Sequence, residues 1–158
     1  MMGKLTRSAA AVAVAAMLGA CSSLTPFTTI DGTDASKLTL MNGHWTVMNL
    51  NGTEKTDGLN PPAVIEFDTA SRSVSGFDGC NNFKGTYSFE GGLLKAKVAG
   101  TRSACGSELA RTVSSRINDL LTNGATVFDT SIRGARILTL KNAGGDVRMA
   151  PTSLLQKK

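Results

Sequence analysis

Three cysteines, one histidine and twelve acidic side chains are the groups with which this chain could do covalent or acid–base chemistry. Nucleophilic catalysis needs a thiol or hydroxyl within hydrogen-bond reach of a base that activates it. The single histidine, His44, stands before Trp45 at the head of "HWTVMNL", where a rim or packing position on a strand is its ordinary role. Glu66 and Asp68 sit two apart in "AVIEFD" and can share one side of a strand. A working acid–base pair needs environments that push its pKa values apart, and nothing nearby does so; they read as solvent-facing charge. Asp78, Asn81 and Asn82 gather oxygen ligands into one loop. Calcium takes about six to eight oxygens, and the glycine-and-glutamate frame of a dedicated loop is missing. Two thiols without clustered histidines do not make a zinc site. The sequence therefore assigns no catalytic residue, no cofactor and no metal ligand.

What the cysteines can do depends on the compartment. "MMGKLTRSAAAVAVAAMLGAC" places Lys4 and Arg7 ahead of a small, apolar run that ends in Leu18, Gly19, Ala20 and Cys21. This is the layout of a bacterial export signal, too short to span a bilayer as a helix. Its last four residues resemble a lipobox, where a bacterial lipoprotein is cleaved and its cysteine acylated. Residues 1–20 are thus expected to be a signal peptide, with Cys21 lipidated and held to a membrane by its acyl chains. Ser22 resembles the sorting pattern of lipoproteins of the outer membrane, facing the periplasm. Lys4 and Arg7 are two of the 17 basic residues, so the chain from Cys21 onward keeps only a small excess over its 12 acidic ones. With no basic run, nucleic acid is not an expected partner. Once Cys21 is acylated, Cys80 and Cys105 remain as two thiols in an oxidising compartment. A disulfide is their expected state, against a reactive pair or a metal site. On chain-entropy grounds such a bond contributes roughly 3–4 kcal/mol.

These groups are positioned by the elements around them. From Ser22 to Lys37, "SSLTPFTTIDGTDASK" is rich in Ser, Thr and Asp without a sustained period. Residues 21–37 are expected to be a lipidated cysteine and flexible tether, with Phe27 and Ile30 isolated and idle in it. Sixteen extended residues reach about 50 Å, enough to hold a domain clear of the lipid. The folded part is expected over 38–150, with a polar tail at 151–158. "HWTVMNL" alternates as a strand and leads into the loop from Asn51 to Asn60, long enough to reach a partner. "AVIEFD" with "RSVSGF", and "GTYSFE" with "LLKAKV", read as two hairpins. Leu109, Val113, Ile117, Leu120 and Leu121 then form one apolar stripe on a helix that Ser107 can cap and Gly124 can end. "ATVFDTS", "ARILTL" and "DVRMA" supply further strands. A single helix cannot cover both faces of a parallel sheet. The expected fold is α+β: a strongly twisted antiparallel sheet, forming a roll or partial barrel, packed by one main helix.

At this level the chain is similar to a known family. "LMNGHWTVMNLNG", "VSGFDGCNNFKGTYSFEGGLLK" from Val74 to Lys95, "TRSAC" from Thr101 to Cys105, and the closing pair "RILTL" and "GGDVRMAP" resemble the META domain family, which includes the heat-inducible lipoprotein HslJ. The resemblance spans roughly residues 38–150. It implies an envelope protein linked to stress, motility or secretion, and resistance phenotypes rather than to a reaction.

Within that frame the glycine-rich stretch reads as architecture. Gly76, Gly79 and Gly85 suit tight bends or close approaches, and Asn81 and Asn82 can bond their own backbone or accept left-handed geometry. Phe77, Phe83, Tyr87 and Phe89 have the spacing to share a face and build core. Thr101 belongs to the same motif. Three function classes follow: a non-enzymatic envelope module that binds or stabilises a protein partner, a lipid, glycan or small-molecule binder with a groove between helix and sheet, and a hydrolase. The first fits the residues best. Its expected partner surface is the helix face opposite the apolar stripe, with Glu108, Arg111, Ser115 and Asn118.

Overall fold

A computed structural model describes residues 27–156 of the chain. The signal segment 1–20, Cys21 and the tether residues up to position 26 lie outside the described residues. The described residues form ten strands, eight of them at the runs read from the sequence and two, the first and the third, unexpected. They are β1 (Phe27–Ile30), β2 (Gly43–Leu50), β3 (Glu54–Lys55), β4 (Val64–Asp68), β5 (Ser73–Phe77), β6 (Asn82–Glu90), β7 (Leu93–Gly100), β8 (Thr126–Ile132), β9 (Ala135–Asn142) and β10 (Gly145–Pro151). Three helices accompany them: α1 (Ala35–Leu38), α2 (Glu108–Asn123) and α3 (Thr152–Leu155).

All the strand pairs are antiparallel, in the order β1-β8-β9-β10-β2-β4-β5-β6-β7, with β3 paired to β2 outside that path. The sheet curls until Leu94, in β7, meets Ala125, just before β8. Leu94 N donates to Ala125 O at 2.8 Å and Ala125 N donates back at 3.0 Å. The result is a near-barrel with one dominant helix.

The stripe on α2 is the reason the helix sits where it does. Ala110, Val113, Ile117, Leu120 and Leu121 are all buried, and fully burying each large aliphatic one contributes roughly 1.5–3 kcal/mol. Ser107 caps the helix by accepting from Ala110 N at 3.0 Å, and Gly124 ends it at φ 106°. The helix side chains fill the space against the curled sheet, so the groove expected between helix and sheet is instead core, continuous with Trp45, Ile65, Phe67 and Leu138.

Four sequence expectations need correction. The fold begins at Phe27, not Leu38: Thr28 and Thr29 are β-branched and suit a strand, Phe27 to Ile30 pair with Thr130 to Val127, and Ile30 is fully buried. The end of the chain is not a plain tail, because α3 continues from β10 and Thr152 Oγ1 lies 2.9 Å from Thr46 Oγ1. The Asn51–Asn60 loop folds back on the sheet. Thr56 is buried, its hydroxyl donates to Val47 O at 2.8 Å, and Leu59 packs into the core. Finally, Phe83 and Tyr87 are core and Phe89 packs against it, but Phe77 pairs with Asn82 while its neighbour Gly76 pairs with Phe83. Successive strand residues point to opposite faces, so Phe77 faces away from Phe83.

Candidate functional site

The corner between β5 and β6 is built around one carboxylate. Asp78 is 3 % exposed. Its Oδ1 accepts from Cys80 N at 2.9 Å and Asn81 N at 2.7 Å, and its Oδ2 accepts from Ser114 Oγ at 2.8 Å and Asn118 Nδ2 at 3.0 Å. A buried carboxylate is tolerated when its lone pairs are taken by donors, and here four protein donors take them. The oxygen that looked available to a metal is spent on holding the corner to α2. Sequence reasoning passed over this role; the available signal was an acidic residue between two glycines, followed by Asn-Asn, with Ser and Asn four apart on the facing helix.

The neighbouring motif residues finish the joint. Asn81 does not bond its own backbone. Its Oδ1 accepts from Thr101 Oγ1 at 3.0 Å and Ser103 N at 2.6 Å, while Thr101 Oγ1 in turn accepts from Asn82 N at 3.2 Å. Cys80 and Cys105 are joined, with Cα atoms 4.9 Å apart. A closed path therefore runs from Asp78 through the disulfide to the start of α2, along the helix to Ser114 and Asn118, and back to Asp78. Gly79 takes φ 97° in this corner, a conformation that costs glycine little. At Gly85 a side chain would run into the carbonyl of Lys97 on β7, so glycine there serves close strand approach. The Tyr87 hydroxyl is buried with no partner among the described residues, and desolvation raises its pKa while Arg72 nearby opposes the rise.

The expected partner surface divides. Glu108, Arg111 and Ser115 are exposed and line an open depression with Thr112, Arg116, Asp119 and Gly144. Asn118 does not belong to it: at helical spacing it turns toward the corner and holds Asp78. The depression has a fixed floor. Asp119 accepts from Asn142 Nδ2 at 2.9 Å and Asn123 Nδ2 at 2.7 Å and faces Arg116 at 3.4 Å. The Asn142 bond first, then the Asn123 bond, hold the Asp119 carboxyl below its ordinary pKa.

Two other places hold candidate groups. His44 and Glu66 are register partners on β2 and β4, with Nε2 3.5 Å from Oε1, and both side chains are open to solvent. Asp68 caps the β4–β5 turn instead, accepting from Ala70 N and Ser71 N; those turn bonds, led by Ser71, lower its pKa. On the outer face of β8 to β10, Phe27, Phe128, Ile132, Ile137, Lys141 and Arg148 line a shallow groove of about 350 Å³.

The comparisons with known proteins agree with this architecture. An NMR structure of a protein from Burkholderia xenovorans has the same fold, at a TM-score of 0.54 and 20 % identity, over 94 % of this chain and 97 % of that one. No curated protein matches the chain. The META domain profile matches residues 37–153, across the corner, the disulfide, α2 and the last three strands. The chain belongs to the META domain family, non-enzymatic structural and binding modules of the bacterial envelope.

Proposed function

We propose that this chain is an envelope lipoprotein, held through acylated Cys21 in the outer membrane facing the periplasm, that captures a protein partner on the exposed face of α2. The observation that carries this reading is the closed path through Asp78 and the Cys80–Cys105 bond. It fixes α2 to the sheet at its start and its middle, so Glu108, Arg111 and Ser115 are presented from a rigid support. A preorganised face loses little entropy on binding. The mixed charges of Glu108, Arg111, Arg116 and Asp119 suit a partner with complementary charge, which sets specificity and encounter rate more than affinity.

The test is site-specific photo-crosslinking in intact cells. A crosslinker at Ser115 should give a discrete protein adduct, a crosslinker at exposed Lys84 on β6 should not, and Arg111→Glu should reduce the Ser115 adduct without changing the melting temperature. Equal adducts at Ser115 and Lys84, or none at Ser115, would remove α2 as the capturing face. Mass spectrometry of the mature N-terminus tests the anchor separately, since an unmodified Cys21 inside an intact chain excludes it.

A further inference from the structure

Six large apolar side chains are exposed among the described residues, and the four most exposed gather at one end of the sheet. Phe27 is 58 % exposed, Ile132 49 %, Leu154 48 % and Leu155 46 %. The register brings them there. Phe27 opens β1 opposite Thr130, Ile132 closes β8 opposite Ala135, and β10 runs past its Met149–Leu138 pair to Pro151, directly before α3. Arg133 stands exposed at the β8–β9 tip between them. Beyond Gln156 the sequence continues with Lys157 and Lys158.

Single exposed apolar residues are ordinary on a protein surface, but a cluster marks a contact. Here the position of the chain identifies the contact. The segment that leads back to Cys21 leaves from Phe27, a member of the cluster. Cys21 lies six residues earlier, and six residues span at most about 20 Å. The sixteen-residue spacer expected from the sequence is thus reduced to a short leash, because β1 takes Phe27–Ile30 into the sheet and α1 follows it. Apolar side chains with the exposed cation Arg133 among them, in a chain whose sequence goes on to two lysines, match the chemistry of a phospholipid interface carrying negative headgroups.

We propose that this end of the sheet is a seat for an anionic phospholipid surface, on which the anchored domain rests. The proposal builds on the reading of Cys21 as the anchor. It also orients the molecule: the β9–β10 turn at the other end of the same strands carries Asn142, which holds Asp119 of α2. The partner face is therefore turned away from the lipid.

The experiment anchors the chain from residue 21 by coupling its Cys21 thiol to a maleimide phospholipid, which tethers it whether or not cells acylate that residue. Trp45 is the sole tryptophan and is buried, so it gives a constant background. In vesicles of phosphatidylethanolamine and phosphatidylglycerol containing brominated lipid, the Ile132→Trp variant should lose at least about half of its added emission. Arg111→Trp should lose none. Combining Ile132→Trp with Leu154→Ser and Leu155→Ser, both exposed, should cut the quenching severalfold while the thermal melt stays in place. Equal quenching at positions 132 and 111, or none at 132, would overturn the seat and leave the anchor reading untouched.

Discussion

The corner from Phe77 to Asn82 and the tip from Ile132 to Ala135 both reverse an antiparallel pair, and both pass through positive φ, at Gly79 in one and at Arg133 and Gly134 in the other. Their side chains are used in opposite ways. The corner buries a carboxylate and surrounds it with donors from a facing helix, while the tip leaves Ile132 and Arg133 in water. Turn chemistry alone does not tell the two apart; what packs over the turn does. A polar group drawn inside is there to hold the fold, and an apolar group left outside is there for something to land on.

If that contrast is right, stability should be concentrated at the corner. Asp78→Ala would strip four donors of their acceptor, two of them backbone amides, and should lower the unfolding free energy by about 3–4 kcal/mol in urea titrations. A loss below about 1 kcal/mol would break the comparison. Replacing Cys80 and Cys105 together by Ala should cost roughly 2–4 kcal/mol, measured the same way against the oxidised parent.

Asn142→Ala sharpens the picture at the edge of the partner face. The Asp119 pKa is depressed in the folded protein, so its contribution is complete above the unfolded carboxylate value near 3.8 and fades as pH falls through the lower folded value. Removing the Asn142 donor should therefore lower stability at neutrality by a small amount and shallow the acid limb, variant and parent converging as pH falls through the folded value. The smallest effect belongs to the tip. Ile132→Ser should stay within about 0.5 kcal/mol of the parent, since the side chain lies on the surface outside the core.

Much of the fold was legible because it rests on period. The four-residue spacing from Leu109 to Ile117 and the pattern in "HWTVMNL" report burial directly: the structure buries Trp45, Val47, Leu50, Val113 and Ile117 and packs Leu109 against the core, while Met48 stays exposed. What escaped is what periodicity does not encode. Phe27–Ile30 is a strand only because β8 lies ready to pair with it, in a stretch whose Ser, Thr and Asp content reads as linker. Phe77 fell on the wrong face because the β5–β6 corner intervenes between it and the run Phe83, Tyr87, Phe89. Asp78 and Asn118 lie 40 positions apart, and either alone looks like an ordinary polar surface residue. A partnership of that length leaves no local trace in sequence.

The pairing of β1 with β8 also sets an order of events in the life of the chain. Phe27 meets Thr130, about a hundred residues later, so this contact is among the costliest in loop closure and cannot form until the final third of the polypeptide has arrived. Under the proposed export the chain emerges N-terminus first, which would leave residues 27–30 unpaired while the segment ahead of them is processed. Only afterwards does the strand zip onto the sheet and draw the body of the domain toward whatever holds its beginning. The distance between the two is then a gauge of completed folding, long in the nascent chain and short in the finished one.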